Sequence, residues 1–322
     1  MLSSILDKSV AGFGRYAATD EAMKRWGLTR LMKVGKAYNR VRHGTRGRAH
    51  RKAWENRTEL LRENGGTTTE PRIRMNDGWA LDTSGNWPHL DRLLEEAGSV
   101  IREKGGREFY GQQYSFMRSL LFPGDLEKYP SYLDFITSSE LLAVVMDYLG
   151  TVPRLSRAQP PGVRFMESNL ALDEEPHLAP RASQLYHIDF YDSPQVYILV
   201  ALEEITPECG PWTFLPASVT DRIAAQIGYR ESGYGYRVKD EAIRPLIRKG
   251  EEIAFTVPKG GVLFIDSSRC FHFGSRNSVR PRFMMMYGLQ SPVRCDFALT
   301  FTPHQTFPDQ TGRPRLRRMV IE

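Results

Sequence analysis

The sequence predicts a mainly β domain, a sandwich or barrel, with helices leading into it. Three observations carry this. Helical periodicity is confined to roughly the first 150 residues. From Thr151 the chain becomes a series of short runs rich in β-branched and aromatic residues, separated by Gly, Pro and acidic turns. Helices precede the strands instead of alternating with them, which argues against a doubly wound parallel sheet.

The first helical signal spans Glu21 to Val41, where Leu28, Leu31, Val34, Tyr38 and Val41 recur at three- and four-residue steps with Lys24, Arg30, Lys33, Lys36 and Arg40 between them. Gly27 and Gly35 weaken it as one unbroken helix. A second helix is expected with Asn86 as cap, Pro88 in its first turn and Leu90, Leu93, Leu94, Ala97, Val100 and Ile101 on one face. A third starts at Ser138 or Ser139 and stops at Gly150. Strands are expected over Val163 to Leu172, Gln184 to Asp189, Val196 to Leu202, Trp212 to Leu215, Ile253 to Val257, Val262 to Asp266 and Arg282 to Leu289. This divides the chain into a basic, partly helical extension over residues 1–85 and a β-rich domain with leading helices over residues 86–322.

The bulk properties exclude some classes. No apolar run approaches the roughly 20 residues of a membrane-spanning helix. The stretch MLSSILDKSVAGFGRY lacks the apolar core of a secretory signal, and Cys209, Cys270 and Cys295 have neither metal-like nor disulfide-framework spacing, so a reducing, cytoplasmic setting is expected. The net charge of +6 is concentrated at the N-terminal side: residues 1–60 hold 14 Lys/Arg against 5 Asp/Glu, leaving the remainder slightly acidic. Residues 21–52 could therefore meet an anionic surface; the plainer reading is a helix that packs on the core and leaves its charges in water.

The chemistry lies in Gln184-Leu185-Tyr186-His187-Ile188-Asp189. His187 and Asp189 stand at i and i+2, so a strand's period of two turns both side chains to one face. A third ligand is available at His272, just after the apolar run Val262 to Ile265. Two His and one carboxylate leave three coordination positions open, which suits Fe(II) binding a bidentate co-substrate and dioxygen; zinc usually keeps one. The other histidines, His43, His50, His89, His177 and His304, lack an H-x-D setting and read as non-ligands.

The region from about Gln184 to Tyr287 resembles the phytanoyl-CoA dioxygenase family of Fe(II)/2-oxoglutarate oxygenases. The matching pieces are YHIDF, then ALEEITPECGPWTFLPAS (Ala201 to Ser218) and KGGVLFIDSSRCFHFGSRN (Lys259 to Asn277), preceded by the helix SSELLAVVMDYLG. The resemblance implies a double-stranded β-helix (jelly-roll, cupin-like) core, with His187, Asp189 and His272 as ligands of Fe(II). It also implies 2-oxoglutarate and O2 as co-substrates, and an Arg after the last His that anchors the far carboxylate of 2-oxoglutarate. Arg276, Arg280 and Arg282 are the candidates. Arg282 opens the run Phe283 to Tyr287 and is placed to project into the barrel, although the family often has this Arg one residue later, where Phe283 stands.

Tyr197 and Thr213 are further candidates beside the co-substrate, with sheet packing as the plain alternative. Gln184, three residues before His187, should face away. Trp212 and Met284 to Met286 are expected in the core. Asp173 to Pro176 is either a lid whose carboxylates meet a cationic substrate or a solvated loop, the second being the ordinary state of such connections.

The activity implied is hydroxylation of an unactivated C–H bond in a small-molecule, anionic or carrier-linked substrate, with release of succinate and CO2. No nucleic-acid specificity is expected, since a basic patch supports only nonspecific attraction. Asp189 occupies the position a halogenase leaves for halide. The rival readings are a metal-dependent hydrolase using the same triad and a catalytically silent β-helix that binds a ligand or partner.

Overall fold

The computed structural model describes residues 2–67, 69–175, 177–298 and 304–321; Met1 of the N-terminal stretch and Pro176 of the Asp173 to Pro176 connection lie outside them. Four helices open the chain: α1 (Leu2–Ala17), α2 (Asp20–Trp26), α3 (Leu28–Glu55) and α4 (Arg57–Glu63). The amphipathic stretch expected over Glu21 to Val41 is divided at Gly27. Its φ of 78° ends α2, and a Cβ there would lie 2.9 Å from the backbone nitrogen of Ser232.

Gly35 does not break α3; it lets the helix touch the core. A Cβ at Gly35 would fall 1.8 Å from the carbonyl oxygen of Cys295. One turn on, Asn39 Nδ2 donates to the carbonyls of Arg294 and Asp296 at 3.0 and 2.7 Å. The docked stripe is thus Leu28, Leu31, Gly35 and Asn39, whereas Val34 and Val41, expected on the apolar face, are 51% and 91% exposed. Hydrophobic periodicity missed this because the contact is made by a missing side chain and by hydrogen bonds. Lys36 reaches the buried Asp192 at 2.7 Å, His50 Nδ1 bonds the carbonyl of Val152 at 2.9 Å, and Trp54 Nε1 donates to Met146.

Strand β1 (Trp79–Asp82) follows; although it precedes residue 86, it is an edge of the main sheet. Helix α5 (Leu90–Lys104) starts later than expected. Asn86 is not its cap: Pro88 sits in a turn closed by Leu90 N to Trp87 O, and His89 is left-handed at φ 63°. The buried Trp87 ring, 5.4 Å from that of Phe264, holds this turn in place. Strands β2 (Gly111–Tyr114) and β3 (Met117–Ser119) and helices α6 (Asp125–Lys128) and α7 (Ser131–Ile136) lead to α8 (Ser139–Leu149). Helix α8 has the expected ends, Ser138 as N-cap and Gly150 left-handed, its N–H on Met146 O at 3.0 Å.

The remaining elements are β4 (Arg154–Leu155), β5 (Val163–Ser168), β6 (Val196–Ala201), β7 (Thr213–Phe214), α9 (Ala217–Ile227), α10 (Asp240–Ile243), β8 (Ile253–Ala254), β9 (Val262–Ile265), β10 (His272–Phe273), β11 (Arg282–Gln290) and α11 (Arg315–Ile321). The main sheet is antiparallel in the order β1-β9-β6-β11-β5-β3-β2, with β4 on the end of β11; the small sheet is β10-β7-β8. Two such sheets closing over an interior form the double-stranded β-helix. The strand expected over Gln184 to Asp189 is irregular: a 3-10 turn at Ala182–Gln184, then single bridges from Tyr186 to Val238 and from His187 to His272.

Both faces of the main sheet are covered, which explains the continuous apolar runs. In β6, Val196, Ile198 and Val200 pack under α5, α7 and α8, while Tyr197, Leu199 and Ala201 turn inward to the small sheet. The same alternation puts Phe283, Met285 and Tyr287 of β11 outward and Met284 and Met286 inward. A third cluster, with Ala22, Leu28 and Leu31 against Ile188, Phe271 and Phe273, seats the N-terminal helices on the small sheet. Among the described residues no helix is long and apolar enough to cross a membrane.

Candidate metal centre

His187, Asp189 and His272 each offer a ligand atom, and these atoms lie within 4.8 Å of one another with all three residues buried. His272 Nε2 is 3.7 Å from Asp189 Oδ2, and the imidazole centroids are 4.4 Å apart. The backbone builds this. His187 N–H donates to His272 O at 3.1 Å and His272 N–H to His187 O at 2.9 Å, while Asp189 N–H is tied to Ser267 O at 2.8 Å. Residues directly opposite in an antiparallel pair share a face, so the two rings emerge side by side.

The tautomers are set locally. Nδ1 of His187 bonds the carbonyl of Leu185 at 2.8 Å and Nδ1 of His272 that of Cys270 at 2.9 Å. A carbonyl only accepts, so each Nδ1 carries the proton and each Nε2 lone pair faces the centre. Burial pushes the imidazoles down, His187 to about 3 and His272 to about 4, which keeps both neutral near pH 7. Burial raises Asp189, partly opposed by the neighbouring His187, by Ser267 and Tyr236, and by the charge of Arg164. A buried carboxylate against two imidazole lone pairs is a donor set that fits a divalent cation, which would hold the carboxylate ionised.

The centre opens on a cavity of about 210 Å3 between the sheets. Arg164, Met166 and Ser168 of β5 and Arg282, Met284 and Met286 of β11 line it at every second position. Arg282 is buried, donates to Gly210 O and, at 3.3 Å, to Ser275 Oγ, and has no partner at Nε. Burial brings its guanidinium down to about 10, still protonated at neutral pH. Ser275 Oγ also meets Ser168 Oγ. The other arginines lie elsewhere: Arg280 is exposed beside Glu208 at 3.9 Å, and Arg276 pairs with Asp240 at 2.8 Å.

Tyr197 lines the cavity; Thr213 does not. The Thr213 hydroxyl donates to Pro211 O at 3.1 Å, and its neighbour Trp212, expected in the core, stacks on His272 with centroids 4.5 Å apart at 26°. Strand β7 is two residues long, so its phase was not legible in the sequence. Trp212, Met284 and Met286 are buried in the core as expected and also line the cavity, while Met285 packs outward. Gln184 faces away as expected, its amide on Ser275 O at 2.8 Å. In the connection from Asp173 to Pro176, Asp173 is held by Arg181 at 2.6 Å and by Ser115, so its carboxylate is already paired within the chain.

Arg164, Ser168, Ser275, Tyr236 and Asp20 went unnoticed. The alternation Arg164, Met166, Ser168 was available as a signal within an expected strand. Asp20 and Tyr236 carried none, since a contact from Tyr236 N–H to Asp20 Oδ1 spans 216 residues.

Fold and site together define a double-stranded β-helix protein with a buried centre of two histidines and one carboxylate. No family model matches the chain, and no curated protein matches it. Among solved structures it is similar to the non-haem α-ketoglutarate-dependent epimerase SnoN from nogalamycin biosynthesis, at 14% identity over 82% of this chain and 94% of that one, with a TM-score of 0.43. It is similar to EctD from S. alaskensis, solved with 2-oxoglutarate and 5-hydroxyectoine (14%, 67% and 72%, 0.43), and to HygX from Streptomyces hygroscopicus, solved with nickel and 2-oxoglutarate (15%, 66% and 82%, 0.41).

Proposed function

We propose that the chain is an Fe(II)- and 2-oxoglutarate-dependent dioxygenase of the phytanoyl-CoA dioxygenase kind that hydroxylates an unactivated C–H bond. The observation that carries this is the convergence of two Nε2 lone pairs and the Asp189 carboxylate on one side of a cavity whose wall also holds the buried Arg282. His187, Asp189 and His272 would hold Fe(II), which supplies the activation of O2. Arg282, with Ser275 and Ser168 beside it, would receive the far carboxylate of 2-oxoglutarate through charge-assisted hydrogen bonds. The reaction balances as substrate C–H, 2-oxoglutarate and O2 giving C–OH, succinate and CO2.

The protein's own work is orientation and exclusion of water. Trp212 stacked on His272 and the Tyr236 ring edge-on to His187 hold two ligands, and Met166, Met284 and Met286 dry the wall. A hydrolase would need a spare carboxylate as base. Besides Asp189 the described lining offers only Asp20, which is already tied to Lys24 at 2.8 Å and to Tyr236 N–H.

The basic face of residues 21–52 is read as a solvated surface of docked helices, with any anionic contact nonspecific. The three cysteines are buried free thiols, in keeping with a reducing, cytoplasmic setting. Anaerobic titration with Fe(II) and 2-oxoglutarate tests the function through the weak visible charge-transfer band of the chelate. No band in the wild-type chain, or an unchanged band in His187→Ala, would refute it.

A further inference from the structure

Arg164 is a cation in the cavity that the dioxygenase reading does not use. It stands opposite Met286 in the β5–β11 register, whereas Arg282 stands opposite Ser168. The two guanidinium-bearing positions are therefore four residues apart along the paired strands, about 14 Å at the strand rise. One end of the cavity belongs to Arg282, and the other is open to a second anion.

Arg164 forms no ion pair among the described residues, and the carboxylate its charge acts on is Asp189 of the triad. Its guanidinium lies over the Tyr197 ring at 5.5 Å, its Nε is buried without a hydrogen-bond partner, and among the described residues no carboxylate pairs with it. Arg164 lines the same cavity as Asp189 and His272, and in the dioxygenase reading Asp189 is committed to the metal. A buried, unpaired donor on a charged group is costly and marks a place where a ligand belongs.

The charges of the lining point the same way. Arg164, Arg237 and Arg282 face Asp20 and Asp189. Two positive charges of Fe(II) and two negative charges of 2-oxoglutarate cancel, which leaves a cationic excess for the remaining occupant, the substrate. Arg237, an exposed lining residue against Tyr114 and Tyr236, adds to the positive field of the cavity.

We propose that Arg164 is the substrate's anion receptor, so that the substrate is an organic oxyanion, a carboxylate or a phosphate ester, held by that group with its reacting carbon over the open side of the centre. This rests on the dioxygenase reading, in which Arg282 is taken by 2-oxoglutarate. The planar guanidinium, backed by Tyr197, would meet the oxyanion edge-on, a geometry in which two N–H groups donate at once.

The test uses the full chain loaded anaerobically with Fe(II) and 2-oxoglutarate, with equilibrium dialysis of benzoate, phenyl phosphate and the neutral isostere benzamide. At least one anion should bind about tenfold or more tightly than benzamide, the scale of a charge-assisted hydrogen bond. Arg164→Gln should erase that preference and Arg164→Lys should keep part of it, which separates recognition from misfolding. Which anion wins tells carboxylate from phosphate. Absence of the preference in the wild-type chain, or its survival in Arg164→Gln, overturns the proposal. So does an Arg164→Gln chain whose 2-oxoglutarate midpoint rises as far as that of Arg282→Gln, since Arg164 would then serve the co-substrate. Failure of the charge-transfer band in the wild-type chain would instead remove the dioxygenase reading, and dialysis on the metal-free chain would still report Arg164.

Discussion

His187 and His272 exchange both of their backbone hydrogen bonds, at 3.1 and 2.9 Å, so two metal ligands more than 80 residues apart are held as one cross-strand pair. The bonds are between main-chain groups and do not depend on the imidazoles. His272→Ala should therefore keep the far-UV circular dichroism and a cooperative melt. Its Fe(II) affinity should fall by more than about 100-fold, since outer-shell changes alone cost 10–100-fold. Isothermal titration with Fe(II) or Co(II) reads the loss.

Arg282 and Arg280 separate cleanly by burial. Arg282→Gln should raise the 2-oxoglutarate midpoint of the charge-transfer band at least about tenfold, the loss of one or two hydrogen bonds to a charged group. Arg280→Gln, at an exposed site beside Glu208, should leave it unchanged. The reverse ranking would move the anchor to Arg280.

Gly35 measures how tightly α3 is seated. Gly35→Ala would place a methyl 1.8 Å from Cys295 O and 2.6 Å from its carbonyl carbon, both backbone atoms that cannot swing aside. A cost of about 1–3 kcal/mol or more is expected in urea unfolding. Gly12→Ala in α1, with nothing within 4 Å of the new Cβ, is the control and should be neutral or mildly stabilising.

His50 gives a pH dependence apart from the metal site. Burial holds its imidazole down at about 4, against 6.5 for the free side chain, with the Val152 carbonyl on Nδ1 and Arg154 and Arg46 nearby. The unfolded chain takes up the proton first, so the contribution is neutral above about pH 6.5 and destabilising as pH falls towards 4. At pH 5 the loss is on the order of 2 kcal/mol. His50→Gln, which keeps a donor for Val152 O, should flatten the pH 7 to 5 unfolding profile by that amount; an unchanged slope would show that His50 does not titrate in this window.

The residue sequence by itself determined the mainly β class, the ends of α8, and the triad, because each is written in local spacing. H-x-D survives even though Gln184 to Asp189 is not a regular strand, since two extended residues suffice to turn His187 and Asp189 to one side. Arg282 was legible because it opens a long strand of known phase. Tertiary structure alone decided that Trp212 and not Thr213 meets His272, that Met284 and Met286 line the cavity while Met285 does not, and that α3 docks through Gly35 and Asn39. It also brought Asp20 to the site. The physical reason is common to these cases: periodicity reports the dihedral state of a segment and which residues share a face, whereas what that face meets is set by the layer packed against it. Where both faces are buried, hydrophobicity no longer distinguishes core from cavity.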